Sequence, residues 1–169
     1  GLGDGGDTLN VPGGLVHTAG QTTIGGTVTT ANTGITLGEV VIPAAATLST
    51  GTGAGDIDMW AVSGSGSLTT LSGQGNTIFR STISGLTNIT VQQAANVDSR
   101  GAVTISGNLT QSIAGTGTTT LRGGTIGGTL DVQTVAVLLA SGTLTTSGAV
   151  SLTGTGSVGL SSGASLNSG

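Results

Sequence analysis

The residues best equipped for chemistry are few in this chain, and they fall at matching positions of a repeat. All three basic residues are arginines, and the chain contains one Trp and one Phe. In successive repeats these side chains fall 11 to 13 positions after an aliphatic residue that opens each repeat. Guanidinium groups bind carboxylate and sulfate groups, and aromatic rings offer flat apolar faces. The sequence therefore predicts a binding ridge of Trp60, Phe79, Arg80, Arg100 and Arg122.

Two interpretations of this ridge stay open. As a binding surface, its arginines would hold the acidic groups of a glycan and its rings would supply apolar contact area, and Trp and Arg together are also typical of protein–protein hot spots. As a structural feature, it would form a lateral contact within a longer protein or a filament. The predicted partners are therefore a surface glycan, another protein or further copies of the same fold.

Three aspartates form a second candidate site. Asp56 and Asp58 flank Ile57, so in a strand their side chains lie on one outer face, and Asp98 falls two repeats further along the same edge. Carboxylates at this spacing can act as an acid and a base on a glycan, or contact a hard cation. No His, Lys or Tyr falls near them in the repeat, so a solvated acidic surface is the alternative and no catalytic residue is assigned.

The first residues carry one short calcium-like signature. The string from Gly3 to Leu9 reads GDGGDTL, which is similar to one copy of the Gly- and Asp-rich nonapeptide that binds calcium in parallel β-rolls. Such sites take ligands from successive turns, and no second copy follows. We therefore expect no cofactor, with calcium as the alternative, and no metal at the single histidine, His17.

Charge and aromatic content argue against several functional classes. Charged residues make up 6% of the 169 residues, aromatic residues 1%, and the formal net charge is −4. So few basic groups give little attraction for a phosphate backbone. The apolar runs are far shorter than the roughly 20 residues that a membrane-spanning helix needs. We expect no nucleic-acid partner, no membrane insertion of this segment and no enzymatic activity.

The composition favours short strands over helices. Gly (34), Thr (32) and Ser (18) make up half of the chain, and Gly and Thr are poor helix formers. Val, Ile and Leu together contribute 41 residues, enough to form a buried core. Aliphatic residues alternate with small polar ones in short stretches, and glycines separate these stretches, as expected for many short strands joined by turns.

The aliphatic residues recur with a period of 20 to 21 residues in three columns. The first contains Val28, Leu48, Leu68, Ile89, Leu109, Leu130 and Val150; the second Leu37, Ile57, Ile78, Val97, Thr118, Leu138 and Val158; the third Ile42, Val62, Ile83, Val103 and Leu144, with one member missing near Gly123. A fixed period of this length indicates a solenoid. We predict an all-β, single-stranded, three-sided parallel β-helix (β-solenoid) of about eight coils with about 20 residues each. An antiparallel sandwich or barrel is the alternative.

This repeat divides the chain unevenly. Residues 1–20 fit the columns loosely and are expected to form a lead-in or a first irregular coil. Residues 21–169 are expected to form the repeat segment, a fragment of a longer repeat protein, because neither terminus has the character of a cap.

Three strings carry a resemblance to a known group of proteins. They are GAVTISGNLTQS (residues 101–112), GTGTTTL (115–121) and GAVSLTG (148–154). They resemble the β-strand repeats of large bacterial surface proteins such as filamentous haemagglutinin and autotransporter passengers. The resemblance implies an extracellular or cell-surface location and a role as a stalk, filament or adhesin, with no catalytic residues to transfer.

The sequence thus predicts a structural segment of a bacterial surface or secreted fibre or adhesin, a rigid rod that associates with itself through its coil edges. A Thr-rich face that binds ice or another crystal surface is the first alternative. Thr pairs such as Thr69-Thr70 and Thr145-Thr146 suggest it, although these pairs skip coils. A glycan-cleaving β-helix enzyme built on Asp56 and Asp58 is the second alternative.

Overall fold

The computed structural model describes residues 2–112 and 115–169, with side chains from Gly6 onward. Within these residues the protein is all-β and contains no helix. The strands are β1 (Leu2–Asn10), β2 (Leu15–Thr29), β3 (Ile35–Ile42), β4 (Ala46–Ser49), β5 (Ile57–Gly64), β6 (Leu68–Leu71), β7 (Thr77–Phe79), β8 (Ile83–Ser84), β9 (Ile89–Gln93), β10 (Val97–Ser99), β11 (Val103–Ile105), β12 (Leu109–Gln111), β13 (Thr118–Leu121), β14 (Gly124–Ile126), β15 (Leu130–Thr134), β16 (Ala136–Leu139), β17 (Gly142–Thr146), β18 (Val150–Gly154), β19 (Val158–Leu160) and β20 (Ala164–Ser168).

The strands form three parallel stacks, one for each side of a solenoid. The first stack holds β1, the end of β2, β4, β6, β9, β12, β15 and β18. The second holds the start of β2, β3 and β5, then β7, β10, β13, β16 and β19. The third holds later parts of β2, β3 and β5, then β8, β11, β14, β17 and β20. The predicted β-solenoid of about eight turns with about 20 residues each is confirmed.

The core of the first stack confirms most of the first predicted column. Leu68, Ile89, Leu109, Leu130 and Val150 lie directly above one another in successive coils. The first four are 6% exposed or less, and burying each such side chain contributes about 1.5–3 kcal/mol.

One step of that column is wrong. Leu48 pairs with Val28 as predicted, but its neighbour in the next coil is Thr70, and Leu68 instead lies beside Ala46. The coil that runs from Leu48 to Thr70 is therefore two residues longer than the predicted period of 20 residues. A slip of two residues keeps the same side chains inward, because strand side chains alternate with a period of two.

The second predicted column is wrong at three positions. At each of them the prediction is off by one residue, and a shift of one residue turns a side chain to the other face of the strand. The inward positions are Thr77, Thr119 and Val137, each buried, and their neighbours Ile78, Thr118 and Leu138 lie on the outer face, half-buried. Leu37 does point inward, although its partner in the next coil is Met59 rather than Ile57.

The third column is confirmed from Val62 through Ile83 and Val103. Its first member is Val40 rather than Ile42, because Val40 pairs with Val62. The missing member is Gly124, which lies between Val103 and Leu144. Gly124 has φ of 119°, and a Cβ there would lie 2.0 Å from the Val103 carbonyl oxygen. The backbone approaches so closely here that only glycine fits.

The first coil is irregular. Strand β1 pairs with the end of β2 in parallel, from Asp7 opposite Gly26 to Asn10 opposite Thr29. The start of β2 pairs with β3, but the register slips between His17 and Gln21. This slip leaves a bulge in the first coil that contributes to the site described next.

Candidate functional site

The predicted ridge lies at the corner where the second stack of strands ends. Trp60, Arg80, Arg100 and Arg122 each follow a buried residue of that stack, in four successive coils. The Arg80 backbone N–H donates to the Met59 carbonyl at 2.8 Å, and the Arg100 N–H donates to the Phe79 carbonyl at 2.8 Å. The structure therefore brings these four side chains to one corner, as predicted.

Phe79 does not belong to this ridge, and its predicted place on the surface is wrong. Its side chain is 2% exposed and lies in the core, in register with Met59 above and Ser99 below. The physical reason is the alternation of the strand, which turns the residue before Arg80 inward. Phe79 contributes to packing in the core and offers no face to a ligand.

Arg80 and Asp58 form a two-point ion pair between adjacent coils. The Arg80 Nε donates to Asp58 Oδ1 at 2.7 Å, and Nη2 donates to Oδ2 at 2.5 Å. Such paired contacts fix both side chains in position. The hydrogen bond and the charge of Asp58 raise the pKa of Arg80 above its ordinary value.

Asp98 joins the other two arginines. Its Oδ2 accepts from Arg100 Nε at 2.7 Å, and its Oδ1 accepts from Arg122 Nη1 at 3.0 Å. Partial burial raises the pKa of Asp98, but the hydrogen bonds and charges of the two arginines outweigh this effect and hold the pKa below its ordinary value. Arg122 also donates to the Ser99 carbonyl at 2.8 Å.

The ridge and the acidic edge are therefore a single surface. Asp58 and Asp98 lie in register on the outer face of the second stack with Ile78 between them, which confirms their predicted placement. Each arginine faces a carboxylate of its own chain, so the ridge alternates in charge. The three guanidinium groups therefore do not form a ladder that faces an acidic ligand.

Asp56 belongs to a different corner and to a different set of contacts. Its Oδ1 accepts hydrogen bonds from the backbone N–H of Asn76 at 2.7 Å and from Asn76 Nδ2 at 3.0 Å. The chain of contacts continues as Asn96 Nδ2 donates to Asn76 Oδ1 at 2.8 Å. Asp56 thus ties neighbouring coils together through Asn76. Cation contacts at Asp56, Asp58 and Asp98 stay a prediction.

Trp60 borders an open groove of about 430 Å³. The indole side chain is 56% exposed. Residues around the groove include Gly20, Gly38, Glu39, Asp58, Trp60 and Arg80, which come from four successive coils. Sequence reasoning found Trp60 and Arg80 but missed the groove, because the groove depends on the bulge in the first coil.

The outer face of the first stack carries a regular column of threonines. These are Thr8, Thr27, Thr47, Thr69, Thr90 and Thr110, one in each of six consecutive coils. The column ends at Asp131, which follows Thr110 in register. The Thr pairs named from the sequence do not share this face, because in Thr69-Thr70 the first side chain points outward and the second is buried.

The described residues hold no group of three or more His, Asp or Glu side chains that could bind a metal ion. His17 is exposed, and its Nδ1 lies 2.7 Å from Thr22 Oγ1. The predicted calcium-like string lies partly outside the described side chains, because those of residues 1–5 are not among them. No helix within the described part of the chain is long and apolar enough to cross a membrane.

No protein-family model, no curated protein and no solved structure matches this chain.

Proposed function

We propose that this chain is a structural segment of a surface or secreted fibre or adhesin, in which it acts as a rigid rod. The observation that carries the proposal is that polar side chains of this protein join neighbouring coils. Asp58 with Arg80, Asp98 with Arg122, and Asn76 with Asn96 each join two neighbouring coils. Such contacts stiffen the stack along its axis. Because the carboxylates of Asp58 and Asp98 are engaged in these contacts, the contacts also support a role without catalysis.

The end coils support self-association. Val158 and Leu160 occupy inward positions, in register with buried Val137 and Leu139. They are nevertheless 54% and 60% exposed in the last coil that the structure describes. At the other end Leu9 is 37% exposed. An additional coil placed on either end would bury these side chains, and stacking of this head-to-tail kind extends a rod without closing it.

The experiment is sedimentation velocity over a range of protein concentrations. We expect the chain to form larger species reversibly as its concentration rises, and we expect the double variant Val158→Lys/Leu160→Lys to sediment as a single small species. Val16→Lys is the matched control, because Val16 is 74% exposed but points outward beside Thr36. Equal assembly of the double variant and the control would contradict stacking through this end.

The resemblance to bacterial surface proteins supports an extracellular or cell-surface location. In such a setting the ridge at Trp60 and Arg80 would lie along the side of the rod, accessible to a partner while the coil ends are occupied. Localisation of the tagged parent protein by protease accessibility on intact cells tests this part of the proposal.

The Thr column favours a second candidate function, binding to ice or another crystalline surface. Neighbouring coils lie about 4.8 Å apart, so the six outward threonines form an evenly spaced row. The adjacent outward column is less regular, since it contains Leu71 and Gln93. Thermal hysteresis measures this function directly: Thr69→Tyr should abolish it, and Thr104→Tyr on another face should not.

A further inference from the structure

The groove beside Trp60 is built by three features of the chain. In the first coil, residues 18–20 lie opposite the single residue Gly38, because the register slips between His17 and Gln21. Gly20 has φ of 76°, and a Cβ there would touch nothing within 4 Å, so Gly20 itself borders open space. Bulges that redirect the chain in this way are common beside functional sites.

Gly38 lines the groove and lies in register between the bulge and Trp60. Its residue is buried, and a Cβ at Gly38 would lie 2.8 Å from the Thr18 carbonyl oxygen. The backbone of the bulge therefore packs directly against Gly38 and occupies the place that a side chain would take. In the next coil the same corner position carries Trp60, the largest side chain of the protein. The groove is therefore lined by the backbone at Gly20 and Gly38 and by one aromatic side chain, Trp60.

The polar groups of the groove supply both hydrogen-bond acceptors and donors. Glu39 is exposed and contributes a carboxylate. Arg80 uses Nε and Nη2 to bind Asp58, and its Nη1 donates to no other group among the described residues. Asp58 holds the guanidinium in place, and both residues line the groove, so the remaining N–H groups of Arg80 are available to a ligand there. The side chain of Arg80 is 41% exposed, which leaves it accessible to a ligand.

We propose that this groove binds a neutral pyranose unit of a glycan. A sugar ring has an apolar C–H face that suits the indole of Trp60, and its hydroxyl groups can donate to Glu39 and accept from Arg80. The charge of Arg80 is balanced by Asp58, and Glu39 leaves the groove with a net negative charge, so an anionic sugar is disfavoured. The site lies on the ridge of the proposed rod but does not require the rod to assemble.

The test is a fluorescence titration of the intact chain at a concentration where it is dispersed. Trp60 is the only Trp and the chain contains no Tyr, so the intrinsic emission above 300 nm comes from this groove alone. The probes are cellobiose, lactose, maltose and N,N′-diacetylchitobiose. We expect at least one of them to shift or quench the emission with a dissociation constant of about 1 mM, typical of a single weak subsite.

Variants separate the groove from the rest of the ridge. Trp60→Ala should weaken binding at least tenfold, read by saturation-transfer NMR on the sugar because this variant has no Trp emission. Arg80→Gln should weaken binding several-fold, whereas Arg100→Gln should leave it unchanged, since Arg100 makes a similar ion pair one coil away from the groove. Circular dichroism checks that each variant is folded.

Three results would overturn the proposal. The first is an unchanged emission with all four sugars well above the millimolar range. The second is sugar binding that survives in Trp60→Ala. The third is tighter binding of tetramethylammonium or of a sulfated heparin disaccharide than of any neutral sugar, which would assign the groove to a cation or an anion. Sedimentation of Trp60→Ala, expected to match the unchanged chain, keeps a failure of this site distinct from a failure of rod assembly.

Discussion

Asp98 illustrates how a single side chain links two neighbouring coils of the rod. It lies one coil above Arg122 and beside Arg100, and it accepts a hydrogen bond from each. Since these contacts hold its pKa below the ordinary value of 3.8, the folded protein binds the proton less readily than the unfolded chain. The ion pairs therefore stabilise the fold at neutral pH, and this contribution is lost as the pH falls below the ordinary value and through the lower folded one.

We expect Asp98→Asn to lower the free energy of unfolding at pH 7 by about 1 kcal/mol or less, since partly exposed ion pairs contribute little. The difference between the variant and the unchanged protein should shrink as the pH is lowered through the acidic range. Urea unfolding at pH 7 and at several acidic values measures this. Asp131→Asn is the control, because Asp131 takes part in none of the ion pairs among the described residues. A difference that stays constant with pH would contradict the assignment.

The ion pairs also show which part of the site the sequence could predict. The repeat placed Trp60, Arg80, Arg100 and Arg122 at one corner, because a residue type recurring with the coil period must line up along the rod. It did not reveal that Asp58 reaches Arg80, 22 residues away. That contact depends on the lateral offset between two coils and on side-chain directions, which a list of spacings does not contain.

At the level of the strands, alternation was easier to predict than register. The inward column from Leu68 to Val150 follows from a nearly constant period. Ile78 and Leu138 are misplaced in the predicted column because the number of residues between the first and second stacks varies from coil to coil, and an error of one residue turns a side chain to the other face. Turn lengths vary without a clear signal in a chain where glycine occurs at 34 positions, so these slips could not be seen in the sequence.

Gly124 offers a sharp test of the strand register. The structure places it in β14, where an aliphatic residue would continue the third column, yet its φ of 119° and the 2.0 Å approach to Val103 exclude a side chain. We expect Gly124→Ala to destabilise the fold by about 2 kcal/mol or more. Gly13→Ala is the control, because a Cβ at Gly13 would meet nothing within 4 Å. Thermal unfolding followed by circular dichroism measures both variants, and equal stability of the two would contradict this register.

At the scale of the whole molecule, the stacking that stabilises each coil also determines how the rod can be extended. Every coil covers the apolar residues of its neighbours, and the end coils leave Val158 and Leu160 uncovered. The rod is therefore a structure that more coils can extend without any change of geometry. This property and the side groove at Trp60 are the two features on which the proposed spacer with a contact site rests.

The most direct test of this account is electron microscopy with diffraction on the purified chain at rising concentration. The account predicts unbranched fibres whose width is that of one solenoid, with a repeat near 4.8 Å along the fibre axis, the spacing between stacked coils. Dispersed particles at all concentrations, or fibres whose 4.8 Å repeat does not run along the axis, would contradict a rod that grows by stacking coil on coil.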